Sequence, residues 1–182
     1  MDNSKIKEIC MKAGSRHKLV DAVVVPSNKI IVGNWIRLKC QYGCDSYGRS
    51  HSCPPAVKDM SKDIIKEYKK AVLLVFKTDS ISNDKKYSQS YTRIYKGMLA
   101  IERALFVSGF YKAFGMGPGP CPMCKECSFP KPCKHPKLKR PAMEAFCIDV
   151  FATVKNIGKQ IKVLKDKKSQ AVHNSYCLVL VE

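Results

Sequence analysis

Residues 121–133 contain four cysteines with the spacing C-x2-C-x2-C-x5-C: Cys121, Cys124, Cys127 and Cys133. Spacings of two residues let successive thiolates point inward from one tight turn and converge on a single inorganic centre. The segment before them, Gly115-Met-Gly-Pro-Gly-Pro120, contains three glycines that let backbone N–H groups come close to a bound group. This run constrains the fold strongly, because the chain around it must form a loop that gathers four sulfur atoms.

A second cysteine group lies earlier in the chain, in residues 40–55. It contains Cys40, Cys44 and Cys53, glycines at turn positions, and the closing pair Pro54-Pro55. Three thiolates leave a fourth coordination position, which His51, another cysteine, water or a substrate could fill. A lone loop histidine is more often solvated or hydrogen-bonded than metal-bound, so His51 is the weaker candidate. The predicted metal ligands are therefore Cys40, Cys44, Cys53, Cys121, Cys124, Cys127 and Cys133.

The other three of the ten cysteines lie in apolar patterns. Cys10 shares a helical face with Ile6, Cys147 lies in a helical apolar stripe, and Cys177 lies in a strand-like run, so all three are predicted to be core residues. The chain shows no leader and no apolar run long enough to span a bilayer. We therefore expect a cytoplasmic protein without membrane insertion, whose thiols stay reduced or bind metal instead of forming disulfides.

Cysteine spacing favours an iron–sulfur cluster over zinc. Structural zinc sites usually combine two separated C-x2-C knuckles, whereas C-x2-C-x2-C followed by a nearby cysteine is similar to a bacterial ferredoxin motif. The fit is partial, because five residues instead of three precede Cys133, and Pro132 comes before it instead of after it. Cys133 could complete the Cys40, Cys44, Cys53 set, as in two-cluster ferredoxins, or it could stay with its local group. The cofactor prediction is one or two [4Fe-4S] clusters, with zinc as the alternative.

The remaining pattern predicts an α+β fold in a single domain, residues 1–182. Residues 19–25 and 30–38 are β-prone and are predicted to form a hairpin that delivers Cys40 from the end of a strand. Short apolar runs at 71–76 and 176–181 predict buried strands, and 90–108 predicts the longest helix. Another helix should begin at Pro141 and run to Ile157. Shorter patterns predict a helix after Pro54 whose apolar stripe includes Met60, a strand at 110–114 and a strand at 160–164. We expect a mixed sheet with helices packed on it and two cysteine-rich cluster-binding loops, at 40–55 and 115–136.

Glu102 lies near the centre of the apolar stripe of the longest predicted helix. A buried carboxylate needs a partner, so pairing with an arginine, a lysine or backbone amides is the simpler explanation. An acid–base role is the alternative, and Glu102 is the weak candidate for a catalytic residue.

The net charge of +18 indicates a surface that attracts anionic partners. The expected partners are an acidic redox protein or a small anionic substrate. Because the lysines are spread along the whole chain without a basic tail, a solvated basic surface is favoured over a nucleic-acid face.

Three motifs together resemble a known family: Lys39-Cys-x3-Cys-x8-Cys-Pro-Pro55, Gly117-Pro-Gly-Pro-Cys-Pro-Met-Cys-Lys-Glu-Cys127, and Arg140-Pro-Ala-Met-Glu-Ala145 with Ile148-Asp-Val150. The chain resembles domain-of-unknown-function family 2284, small cysteine-rich proteins predicted to bind metal, found in anaerobic bacteria and archaea. The resemblance covers nearly the whole chain and implies metal binding, with no established reaction. It also implies glycine before the Ile-Asp-Val segment, where this chain has Cys147.

Three functions are consistent with these features. The first is a redox or electron-transfer protein carrying a [4Fe-4S] cluster. The second is an enzyme whose open-coordination cluster binds a small anionic or sulfur-containing substrate, with Glu102, Asp45 or Arg49 nearby. The third is a zinc-stabilised nucleic-acid-binding protein. Because nucleotide-binding, P-loop and common peptidase motifs are lacking, hydride transfer, NTP hydrolysis and peptidase chemistry have no support.

Overall fold

A four-stranded antiparallel sheet forms the centre of the protein, with the strand order β1-β2-β4-β3. The structure is a computed structural model that describes residues 2–58, 61–79, 84–163 and 173–182. The strands are β1 (Leu19–Pro26), β2 (Lys70–Lys77), β3 (Phe114–Met116) and β4 (Asn174–Leu180). In the described chain one parallel pairing occurs, as an isolated bridge between Gly117 and Ala142.

Five α-helices occur in the described residues and pack against this sheet, so the predicted α+β class is confirmed. They are α1 (Asn3–Gly14), α2 (Trp35–Gly43), α3 (Ser61–Lys66), α4 (Asp84–Val107) and α5 (Val150–Asn156). Short 3₁₀ helices occupy Ser15–His17, Ser27–Lys29 and Glu144–Phe146. No helix in the described part of the chain has both the length and the apolar character needed to cross a bilayer.

The two central strands are buried on both faces, which explains their continuous apolar sequence. Along β2, Leu74 and Phe76 belong to one core cluster, and Leu73 and Val75 belong to the cluster on the opposite face. The strands predicted at 71–76 and 176–181 are therefore confirmed as β2 and β4.

Helix α4 covers one sheet face with a stripe of fully buried residues, and α1 packs beside it. The stripe contains Ile94, Met98, Ile101 and Leu105, which follow one another at helical spacing. The predicted long helix at 90–108 is confirmed, although it begins earlier, at Asp84. The same core buries Cys10 and Cys177 completely, as predicted.

The predicted hairpin is wrong in its second half. Strand β1 pairs with β2, whereas Trp35–Gly43 forms α2. Ile36 and Cys40 lie four residues apart and face the same side of that helix, so a helical period was present among residues that also suit a strand. Cys40 therefore comes from the last turn of a helix and not from the end of a strand.

The helix predicted from Pro141 to Ile157 is interrupted at Cys147. This residue has a φ of 54°, in the left-handed region, and it separates the 3₁₀ helix Glu144–Phe146 from α5. Asp149 then caps α5 by accepting a 2.8 Å hydrogen bond from the N–H of Ala152. A left-handed residue favours glycine, which explains why glycine is expected where this chain has cysteine. The Cys147 side chain is completely buried, as predicted.

Three shorter predictions also differ from the structure. The strand expected at 110–114 is β3, which begins only at Phe114. The helix expected after Pro54 is α3, which begins at Ser61, and Met60 of its predicted stripe lies outside the described residues. The strand expected at 160–164 is absent from 160–163, and Leu164 lies outside the described residues.

Candidate metal centre

The first cysteine group lines a cavity of about 450 Å³. Cys40 comes from the last turn of α2, Cys44 follows the end of that helix, and Cys53 lies in the turn before Pro54. The opposite walls come from 118–120 and from 142–151, so segments distant in sequence enclose the three thiols. Most of the other wall residues are apolar.

Burial is the main influence on the thiols of this cavity. It raises the pKa of Cys40, with a further contribution from the nearby Cys44 thiolate. It raises the pKa of Cys53 to about 11, against a hydrogen bond from the Ser52 hydroxyl that lowers it. A bound cation would reverse this preference, since metal coordination displaces the thiol proton. The three thiols therefore suit a metal centre better than three free thiolates.

The second cysteine group lines a smaller, more enclosed cavity of about 20 Å³. Its wall contains all four cysteines of the 121–133 run: Cys121, Cys124, Cys127 and Cys133. The structure thus places Cys133 with its local group and not with the first one. His51 also lies on this wall, where its Nε2 is 2.8 Å from the Lys131 carbonyl oxygen and its ring packs edge-on against Phe129.

Cys127 is surrounded by hydrogen-bond donors. Burial alone would raise its pKa, but backbone N–H groups of His51, Phe129 and Ser128, together with the Ser50 hydroxyl, lower the pKa of this thiol overall. Such donors stabilise negative charge on sulfur, and hydrogen bonds to sulfur also tune iron–sulfur centres.

The opposite pKa shifts predict unequal reactivity of two thiols in the metal-free full chain. At pH 7, iodoacetamide should alkylate Cys127 at least about tenfold faster than Cys53. The thiolate is the nucleophile, and the lowered pKa of Cys127 favours it, whereas Cys53 has a raised pKa and is only 6% exposed. Peptide mass spectrometry over a time course measures both rates. Cys177, fully buried in the core, is the control that should stay unmodified until the chain unfolds. Faster modification of Cys53 would contradict the arrangement.

The two cavities are neighbours that share parts of their walls. The turn at 50–53 contributes Cys53 to the first cavity and Ser50 and His51 to the second, and the 118–121 segment contributes to both. The Ser52 hydroxyl accepts a 2.7 Å hydrogen bond from the Cys121 N–H and lies 3.9 Å from the Cys53 sulfur. A path of two short contacts therefore connects the two cysteine groups.

Helix α4 supports the loop that carries the second group. The Tyr91 hydroxyl donates a 2.6 Å hydrogen bond to the Pro120 carbonyl, and the Tyr95 hydroxyl accepts one from the Arg140 N–H. A Cβ atom at Gly119 would lie only 2.7 Å from the Tyr91 hydroxyl. The glycine-rich lead-in thus permits close packing against α4, a role that differs from the predicted approach of backbone N–H groups to a ligand.

Glu102, also on α4, helps to hold the same loop in place. Its carboxylate pairs with the Arg140 guanidinium, including a 2.7 Å hydrogen bond from Nε, and accepts a 2.8 Å hydrogen bond from the Gly115 N–H. Consistent with this pairing, the Glu102 carboxylate raises the pKa of Arg140. An arginine and a backbone amide, two of the partners expected for a structural carboxylate, are present. Glu102 is not among the residues that line either cysteine cavity.

Several wall residues of the first cavity were missed in the sequence analysis. Trp35 was assigned to the strand at 30–38, and Lys39 was noted only as the residue before Cys40. The helical period of α2 places Ile36 on the Cys40 face, whereas Trp35 and Lys39 reach this wall from the flanks of the helix. Glu144, whose pKa burial raises to about 7, lies in the Arg140–Ala145 motif that was noted for family resemblance alone. Conversely, Asp45 and Arg49 are exposed and are not among the described residues lining the two cavities.

The donor atoms fit a thiophilic metal. Within the described residues, no three Cys, His, Asp or Glu side chains already stand close enough together to ligate one ion. The groups are instead defined by shared cavity walls, three thiols in one and four in the other. Thiolates in such numbers select zinc or iron–sulfur clusters over hard cations.

The fold and the two cavities define a cysteine-rich α+β protein with paired candidate metal sites. A family model described as "Predicted metal-binding protein (DUF2284)" matches residues 23–181, so the chain belongs to this family of predicted metal-binding proteins. The match includes all seven predicted ligands. No curated protein and no solved structure matches the chain.

Proposed function

We propose that the protein is a cytoplasmic iron–sulfur protein with a redox role. One [4Fe-4S] cluster would be held by the four cysteines of the second cavity, and another by the three cysteines of the first. When bound, such clusters supply one-electron transfer, and a cluster with three thiolate ligands leaves one iron able to take a further ligand.

The main support for this proposal is that a cavity lined by four thiols lies beside a larger cavity lined by three thiols. Four thiols on the wall of one cavity supply the complete ligand set of a coordinatively closed cluster, which serves as an electron relay. Three thiols beside a cavity of about 450 Å³ leave room for a ligand at the remaining position. Ser52 contacts both groups, so its hydroxyl and the Cys121 N–H fix the position of one relative to the other.

The basic surface around the second cavity supports an acidic redox protein as the partner. Five lysines between residues 125 and 139 are exposed, against one exposed acid, Glu126. They are Lys125, Lys131, Lys134, Lys137 and Lys139. A concentration of one sign of charge next to a relay site would steer an oppositely charged carrier towards it. Phe129 packs against His51, which makes it a poor stacking platform for nucleic-acid bases, so nucleic acid is the weaker partner.

An enzymatic role of the open site is the second candidate. The cavity beside Cys40, Cys44 and Cys53 has the volume of a small-molecule site, which a pure electron carrier does not need. Small anionic or sulfur-containing molecules are ligands that an open iron could bind. Burial raises the pKa of Glu144, on the same wall, to about 7.

Anaerobic purification followed by iron, zinc and acid-labile sulfide analysis tests the proposed function. We expect a brown protein with iron and sulfide in equal amounts, and visible absorbance that is lost on oxidation. A colourless protein with stoichiometric zinc and no sulfide, prepared with iron supplied, would overturn the iron–sulfur proposal in favour of the zinc alternative.

A further inference from the structure

The first cavity has features of a binding site for an organic molecule. Its volume of about 450 Å³ falls within the range of roughly 300–1,000 Å³ typical of small-molecule sites. Beyond the thiols, its walls are mainly aliphatic, proline and aromatic side chains, with Trp35, Tyr47 and Phe151 as the aromatic members. Such walls bind by burial of apolar surface and by ring contacts.

The aromatic residues lie close to the thiols but remain partly in water. Trp35 at the start of α2 and Cys40 in its last turn line the same cavity, together with Cys44 and Cys53. Trp35 is 50% exposed and Phe151 is 41% exposed, although both belong to the wall of one cavity. Scattered exposed apolar residues are normal, but two large rings around one concave site form a surface that a ligand would bury.

The polar side chains of the wall do not favour a small charged ligand. They are Lys39, Glu144 and Asp149. Asp149 already caps α5 through the Ala152 N–H, and Lys39 is exposed to solvent. A small anion lying against the apolar walls of this cavity would lose hydration without a complete set of hydrogen-bond partners.

From this arrangement we infer that the first cavity binds an uncharged aromatic molecule, with its ring between Trp35 and Phe151 and one end directed towards Cys40, Cys44 and Cys53. This inference gives the open site of the enzymatic candidate a neutral aromatic ligand in place of a small anion, and it rests on the proposed function only for the chemistry the ligand would undergo. Binding itself requires only the cavity and its rings.

The chain contains a single tryptophan, and that residue is Trp35, so its fluorescence reports on this cavity alone. The probe is benzyl alcohol, a neutral aromatic molecule that is transparent at the excitation wavelength for tryptophan. Titration into the full chain, purified anaerobically, should give a saturable change in fluorescence with a Kd of about 1 mM. Acetate, as a small anion, should give no saturable change.

A matched pair of phenylalanine variants locates the binding site. Phe151→Ala should weaken benzyl alcohol binding about fivefold, the loss expected for one aromatic contact. Phe106→Ala removes a similarly exposed ring from α4, which is outside the cavity wall, and should leave the Kd unchanged. Because Phe151 is partly exposed on a helix, alanine should be tolerated there, and circular dichroism verifies the fold of both variants.

Three results would overturn the inference: no saturable response to benzyl alcohol, equal Kd values for the two variants, or a saturable response to acetate of the same size. Iron and sulfide are measured on the same samples. A sample without iron that binds benzyl alcohol would defeat the proposed function alone, whereas an iron-containing sample that fails to bind it would defeat this inference alone.

Discussion

Replacing Cys53 by alanine should halve the iron and sulfide content of the anaerobically purified protein. Cys53 is one of three thiols in the first cavity, and a centre that already lacks a fourth thiolate should not survive with two. The four thiols of the second cavity remain intact in this variant, so one cluster of two, or about half the iron, should persist. Iron and sulfide analysis with spin quantification of the reduced protein measures the change.

Cys10→Ala is the matched control for this substitution. Cys10 is fully buried between α1 and the core, and its pKa is raised by burial, so it should contribute packing and no metal ligand. The parent iron content is expected in this variant. Full iron in Cys53→Ala would remove the first cavity from the metal-binding proposal, and loss of all iron from a folded Cys53→Ala chain would contradict two separable centres.

The cysteine spacing predicted how the thiols are grouped, because that grouping depends on local geometry. Cys121, Cys124 and Cys127 are separated by only two residues each, which favours one shared site, and the structure places them around one cavity. Cys133 shows the limit of this reasoning. Its five-residue spacing allowed either group, and only the folded path of 128–133, with the Ser128 hydroxyl donating a hydrogen bond to the Pro132 carbonyl, places it locally.

The walls of the first cavity could not be predicted from the sequence. They come from α2, the 118–120 segment and the 142–151 segment, which are brought together only by tertiary packing. The segment around Trp35 was also assigned the wrong period, since residues 30–38 suit a strand when their alternation alone is considered. With this segment assigned to a strand, the wall that α2 forms beside Cys40 was not expected.

Cys147 shows how one residue can change a secondary structure prediction. Its apolar neighbours continue a helical period from Met143 to Ile157, and periodicity contains no information about the sign of φ. The left-handed conformation at Cys147 interrupts that period and lets Asp149 begin a new helix. The glycine expected from family resemblance was the signal of this break, since glycine adopts positive φ without steric cost.

Glu102→Ala should destabilise the protein by about 3–5 kcal/mol, the range typical of removing one partner from a buried ion pair. The change leaves the Arg140 guanidinium and the Gly115 N–H without their acceptor, at both ends of the loop that carries the second cysteine group. The midpoint of urea unfolding, followed by far-UV circular dichroism on the metal-free chain, should fall by about 1–2 M.

Asp21→Ala provides the comparison for a more exposed carboxylate. The Asp21 side chain is 28% exposed and pairs with Lys7 and Lys159 at the surface, where solvent screening limits the loss to about 1 kcal/mol or less. Equal unfolding midpoints for Glu102→Ala and Asp21→Ala would contradict a structural role for Glu102 and would return it to consideration as an acid–base group. A much larger loss of stability for Glu102→Ala would instead show that the Glu102–Arg140 pair holds residues 115–140 against α4, because the carboxylate bonds to both ends of that loop.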